Sequence, residues 1–160
     1  GCDFSSAGKC DEFLFIGSGM FHPIGISFYT GKRVIAADPF LCDVKEIDPN
    51  VVRRKRYAVI SKAMDAKSFG IIVGKKGGQF KMEVARRLME ISKNVFDVHL
   101  FMMDEITPEK LMEFGVDAWV NTACPRISED FFEKPMLNPE EFEELVRHVC
   151  DRNRESCKGI

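Results

Sequence analysis

The sequence predicts an α/β protein of parallel sheets with flanking helices, one domain complete and one partial. Three observations predict it. Short apolar runs alternate with turns and helical patterns along the chain. The runs at residues 13–16 and 69–73 are apolar without a break, the habit of strands covered on both faces of a parallel sheet. Helix starts are marked at Asp48-Pro49, Thr107-Pro108 and Asn138-Pro139. In each, a capping side chain precedes a proline whose missing N–H is not needed at the first helical position.

Taken in order, residues 1–9 carry Ser5-Ser6 and two glycines and read as a loop. A strand over 12–16 ends at Gly17-Ser18-Gly19, a helix over 23–29 closes at Thr30-Gly31, and a strand over 33–37 ends at Asp38-Pro39. These make a β-α-β unit. A long helix over 49–67 follows, with Val52, Val59, Ile60, Ala63 and Met64 on its apolar face. Its Arg53-Arg54-Lys55-Arg56 run reads as a solvated face, or as a contact for an acidic protein or RNA.

A second set begins with a strand over 69–73 and a glycine-rich turn from Gly74 to Gln79. A helix over 82–93 turns Val84, Ala85, Leu88 and Ile91 inward, a strand covers 96–102, and a short helix runs from Pro108 to Gly115. The strand through Ala118, Trp119 and Val120 breaks at Asn121-Thr122. The last helix has Asn138 as N-cap and Glu141 in the capping-box position. Cys150 shares its apolar stripe with Phe142, Leu145, Val146 and Val149, a core position rather than a ligand's. The expected division is a partial domain over 1–48, a connecting helix over 49–67 and a complete domain over 68–160.

A chain of 160 residues with 45% hydrophobic content can bury a core for one domain, or for one and part of another. Its net charge of -2 carries no polyanion-binding signature, so direct nucleic-acid binding is not expected. No apolar run approaches the roughly 18–20 residues of a membrane span and no signal peptide is visible, so a cytoplasmic protein with no membrane association is expected. The six cysteines should then be reduced. With no CxxC pair and no zinc-finger spacing, any metal site must be assembled from distant positions. The chain opens on Gly1 and Cys2 with no element ahead of this first candidate ligand, and reads as a fragment of something longer.

The stretch Asp117-Ala-Trp-Val-Asn-Thr-Ala-Cys-Pro-Arg126 organises the rest. It places Cys124 just past the C-terminal end of a strand, the edge of an open α/β sheet where ligands collect. Pro125 stiffens the turn, which suits a thiol held for a metal. Taken alone, Cys124 also fits a small buried hydrophobe. Gly17-Ser18-Gly19 and the turn from Gly74 to Gly78 each lie between a strand and a helix, where backbone N–H groups favour an anion. Neither completes a Walker loop or GxGxxG, so either is equally a tight turn without a ligand. His22, before Pro23, is a candidate base or ligand contact, or a structural hydrogen-bonding group.

Four motifs, Gly1-Cys2-Asp3-Phe4, the run from Gly17-Ser18-Gly19-Met20 through Phe21-His22-Pro23-Ile24-Gly25, Gly74 to Gln79, and Asn121-Thr122-Ala123-Cys124-Pro125-Arg126-Ile127, stand in one order. In that order the chain resembles the archaeal diphthamide-synthesis radical enzyme family over nearly its whole length. That family has three similar α/β domains, each giving one cysteine to a single [4Fe-4S] cluster. The resemblance implies that Cys2 is the ligand of a second domain and Cys124 that of the third, with one iron left open for S-adenosylmethionine. It implies transfer of a 3-amino-3-carboxypropyl radical from S-adenosylmethionine to a histidine of elongation factor 2, and a homodimer in the full-length form. Gly17, Ser18, Gly19, His22, Gln79 and Arg126 are then expected at the S-adenosylmethionine site. Arg126 would pair with its carboxylate. With two of three thiolates, the 160-residue chain alone is expected to be inactive.

Two other readings compete. One is a non-catalytic module that docks on the elongation factor or mediates dimerisation through Arg53 to Arg56; failure to take up iron and sulfide would favour it. The other is a nucleotide-binding α/β domain using the glycine turns, which iron-free nucleotide binding would favour.

Overall fold

The computed structural model describes residues 4, 7, 8, 10–76, 80–129 and 132–156. The chain divides into two compact units, Gly1–Ala58 and Val59–Ile160, each with its own sheet.

The first unit contains β1 (Glu12–Ile16), α1 (Phe21–Thr30), β2 (Arg33–Asp38), β3 (Asp43–Ile47) and the start of α2 (Pro49–Ala63). β1 and β2 are parallel, joined through α1, and β3 returns antiparallel to β2, giving the order β1-β2-β3. Phe13 and Phe15 of β1 join Val34, Ala36 and Ile47 in one core with Met20, Ile24, Ile26 and Val52. Gly31 ends α1 as expected: its φ of 67° is open to glycine, and its N–H donates to Ser27 O at 2.9 Å.

Two expectations need correction in this unit. β1 is not covered on both faces, for Leu14 and Ile16 remain 65% and 68% exposed. Its uninterrupted apolarity supplies a core face through Phe13 and Phe15 and, on the other side, an apolar face that also carries Ile35 and Val44. The sheet is also not wholly parallel. β3 was not expected, because Asp43, Lys45 and Glu46 interrupt any apolar alternation. Local hydrogen bonds turn the chain there: Asp38 Oδ1 accepts from Phe40 N at 2.9 Å and Leu41 N at 3.1 Å.

The second unit holds the remainder of α2, β4 (Ser68–Gly74), α3 (Met82–Ser92), β5 (Asp97–Met103), α4 (Pro108–Met112), β6 (Ala118–Asn121), a 3-10 turn (Pro125–Glu129), β7 (Met136–Leu137) and α5 (Pro139–Ser156). Its sheet is parallel throughout, in the order β5-β4-β6-β7. Alternation along β4 feeds two cores. Phe69, Ile71 and Val73 pack with Ala85 and Leu88 of α3 and Phe142, Leu145 and Val146 of α5. Ile72 packs on the opposite face with Trp119, Met136 and Leu111 of α4. Helices on both faces of a parallel sheet are the arrangement that buried, continuously apolar strands require.

The long connecting helix ends at Ala63 rather than 67, leaving Met64 39% exposed. Arg56 is buried and Arg54 Nε donates to Asn50 O at 3.3 Å, so the basic run is not a uniform solvated face. In α3, Ile91 is 42% exposed and Ser92 takes the buried place, its hydroxyl donating to Leu88 O at 2.6 Å. Cys150 packs against the larger core, as its place on the α5 stripe predicts. No described helix is long and apolar enough to cross a membrane.

Candidate functional site

Three strands of the second unit deliver their C-terminal ends to one opening. Beyond β4 lies Lys76, beyond β5 Asp104 and Glu105, and beyond β6 Cys124 and Arg126. Together with Thr107 they line an open cleft of about 450 Å³. The chain leaves β4 for β5 on one side and later returns to β6 on the other. Diverging loops at such a reversal leave the crevice in which open α/β sheets bind ligands.

Cys124 is half-buried at this opening and Arg126 is exposed. The carboxylates are braced from outside: Lys75 Nζ meets Asp104 Oδ2 at 3.2 Å, and Lys110 Nζ meets Glu105 Oε2 at 2.6 Å. The hydrogen bond and charge of Lys110 hold the Glu105 carboxyl below its ordinary range. Lys76, Asp104, Glu105 and Thr107 were not among the expected site residues. Lys76 lies within the glycine-rich turn already singled out, and Asp104-Glu105 directly follows a strand, so position after a strand end was the available signal.

The turn carrying Cys124 is pinned from within. Asn121, 3% exposed, accepts from Ala123 N through Oδ1 at 3.0 Å and donates from Nδ2 to Cys124 O at 2.7 Å. Thr122, 2% exposed, donates to Ile72 O from both its backbone N, at 3.1 Å, and its hydroxyl, at 2.8 Å. At the sequence break Asn121-Thr122, Asn121 therefore braces the turn from within and Thr122 fastens it to β4. Farther on, Ser128 Oγ donates to Asn138 Oδ1 at 2.7 Å, and Asn138 N donates to Glu141 Oε2 at 2.7 Å. The latter is one half of the expected capping box.

Of the expected thiolate ligands, the described residues include Cys124. Cys124 places a soft thiol, the donor type that iron–sulfur clusters take, at the mouth of a cleft whose lining sets Lys76 and Arg126 against Asp104 and Glu105. Among the described residues no three of His, Cys, Asp and Glu stand close enough to hold a metal together. The second expected thiolate, Cys2, lies outside the described residues, as does Gln79.

Gly17, Ser18, Gly19 and His22 belong to the first unit, between β1 and the first turn of α1. Gly19 has φ 84°, a left-handed conformation that glycine adopts without strain. Ser18 Oγ donates to Asp38 Oδ1 at 3.1 Å. Desolvation pushes the Asp38 carboxyl up, but the N–H groups of Leu41 and Phe40 and the Ser18 hydroxyl outweigh it and hold the carboxyl low. His22 is exposed, stacked on Phe15 with centroids 6.0 Å apart and edge-on to Phe21 at 5.1 Å. Phe4, the described residue of the first sequence motif, packs here. Phe4 lies so close over α1 that a Cβ at Gly25 would run into its ring, and its centroid is 5.9 Å from that of Phe21.

Residues 1–156 match the family of diphthamide synthesis proteins. The chain is 42% identical over 151 residues to the 2-(3-amino-3-carboxypropyl)histidine synthase of Pyrococcus horikoshii, a match covering 91% of the chain and 44% of that protein. It is 30% identical over 147 residues to the synthase of Methanocaldococcus jannaschii, covering 86% of the chain and 43% of the relative. The crystal structure of Dph2 from Pyrococcus horikoshii with a 4Fe-4S cluster superposes with a TM-score of 0.84 at 42% identity, covering 92% of this chain and 44% of that one. The chain thus spans under half the length of these relatives.

Proposed function

The chain belongs to the diphthamide synthesis protein family, matched over residues 1–156, and on that basis we propose that it forms part of a 2-(3-amino-3-carboxypropyl)histidine synthase. In this reading the enzyme moves the 3-amino-3-carboxypropyl group of S-adenosylmethionine to a histidine of elongation factor 2. The observation that carries it is the cleft at the C-terminal sheet edge, which gathers Cys124, Arg126 and Lys76. Likeness to a relative crystallised with a 4Fe-4S cluster supports it.

Cys124 and Cys2 would hold a [4Fe-4S] cluster as thiolates. When bound and reduced, that cluster supplies one electron for breaking a carbon–sulfur bond, which makes the transfer a radical one. The chain's own residues do the rest. Arg126 receives the substrate carboxylate in two parallel hydrogen bonds, a geometry that its planar fork matches. Lys76 adds positive charge, while Asp104 and Glu105 offer acceptors to the substrate ammonium. Gly17, Ser18, Gly19, His22 and Gln79 complete the S-adenosylmethionine site in this proposal.

Residues 1–48 are proposed as part of one α/β domain, with 49–67 as connection and 68–160 as a whole further domain. The bare face of the three-stranded sheet and the cores on both faces of the four-stranded sheet support that division. We further propose a cytoplasmic homodimer as the working form, and no activity from the 160-residue chain alone. Anaerobic incubation of the reduced full-length holoenzyme with S-adenosylmethionine and elongation factor 2 tests the function. A histidine carrying the aminocarboxypropyl group is expected by mass spectrometry. An unmodified factor beside a fully reduced cluster contradicts the reading.

A further inference from the structure

Asn121 does more than end a strand. Its amide spans the turn that presents Cys124, taking the Ala123 N–H at 3.0 Å on one side and giving a hydrogen bond to the Cys124 carbonyl at 2.7 Å on the other. The two contacts use both functions of the amide, one as acceptor and one as donor. They bracket the peptide bond that joins Ala123 to Cys124. The residue after Cys124 is a proline, which has no N–H of its own to tie the turn down. At 3% exposure the amide is shielded from water, so a lost bond is not replaced cheaply.

Resting on the ligand reading above, we propose that Asn121 is a positioning residue for Cys124: its side-chain amide fixes the direction in which the thiolate leaves the turn toward the cluster. Thr122 serves a different end, since both its donors go to Ile72 O and bind the turn to β4. Groups that orient a metal ligand without touching the metal typically change its affinity about 10- to 100-fold when removed. Aspartate keeps the shape and the acceptor of Asn121 but loses the donor to Cys124 O. Serine shortens the reach of both contacts.

The test compares Asn121→Asp, Asn121→Ser and Cys124→Ala in the anaerobic holoprotein. Iron and sulfide are counted per folded chain, the reduction potential of the cluster is measured, and the melting curve is followed without metal. We expect both Asn121 variants to melt cooperatively without metal, to retain the cluster about 10-fold less well or worse, and to shift the potential of what remains. Parent-like iron content and potential in both variants overturn the proposal. So does iron loss that only tracks loss of folded protein, or failure of both variants to fold, since each makes the residue merely structural. Full iron content in Cys124→Ala removes the ligand reading itself and the proposal with it. Loss in Cys124→Ala with retention in both Asn121 variants removes the proposal alone.

Discussion

Ser128 Oγ donates to Asn138 Oδ1 at 2.7 Å, joining the 3-10 turn that follows Cys124 to the first residue before α5. Ser128 is 6% exposed, so the bond is made away from water. Ser128→Ala should therefore lower stability by about 1 kcal/mol or somewhat more, since Asn138 keeps an acceptor with a lost partner. Urea unfolding with an unchanged slope checks it. A midpoint equal to the parent's shows that the bond contributes nothing.

Gly70 faces the ring of Trp119 across the β4–β6 pair, so closely that a Cβ there would run into the indole. Trp119 is 1% exposed and ringed by Phe101 and Phe114, with centroids 4.9 and 6.0 Å away, so it has nowhere to retreat. Gly70→Ala should destabilise by about 1 to 3 kcal/mol, the usual cost of overpacking. Thermal melting gives the measure. A neutral or stabilising effect would mean that this face yields more than its packing implies.

These particulars show what was legible in the sequence. Buried strands announced themselves through apolar runs, and α5 through Asn138, Pro139 and Glu141. β3 and β7 did not, one because three of its five residues are charged, the other because two residues make no pattern. The bare side of β1 could not be read either, since an apolar residue looks the same whether its neighbour lies in the unit or outside it. At the site, Cys124 and Arg126 were found from position and resemblance and do share a cleft. Asn121 was passed over as a mere strand break, because local sequence does not tell a buried amide from a turn residue.

Asp117 fastens the start of β6 to the start of β4. Its Oδ2 accepts from Lys67 N at 3.0 Å, Ser68 N at 2.9 Å and Ser68 Oγ at 2.9 Å. The Lys67 N–H, followed by the Ser68 hydroxyl and N–H, holds its carboxyl below the usual range. A folded-state pKa lowered in this way gives stability that is whole above the unfolded value of about 3.9. That stability is lost as pH falls through the lower, folded value. The stability gap between the parent and Asp117→Asn should thus be widest near neutrality and close in acid. A gap that stays constant with pH would count against this carboxylate.

Arg126→Lys keeps the charge in the cleft but cannot form two parallel hydrogen bonds with one carboxylate. Affinity of the holoprotein for S-adenosylmethionine should fall about 10-fold, the scale of one charge-assisted bond. The iron–sulfur spectrum should not change. Calorimetric titration that finds equal affinities removes Arg126 from the substrate site.

Iron counted per folded chain in Cys124→Ala and Cys150→Ala tests the central claim most directly. Cys124 opens on the cleft while Cys150 packs against the core of α5 and its neighbours. The account predicts that anaerobic reconstitution of the full-length enzyme carrying Cys124→Ala yields little or no four-iron cluster, whereas the same enzyme carrying Cys150→Ala reaches the parent's iron content and differs only in melting temperature. A full cluster in Cys124→Ala, or its complete loss in folded Cys150→Ala, would contradict it.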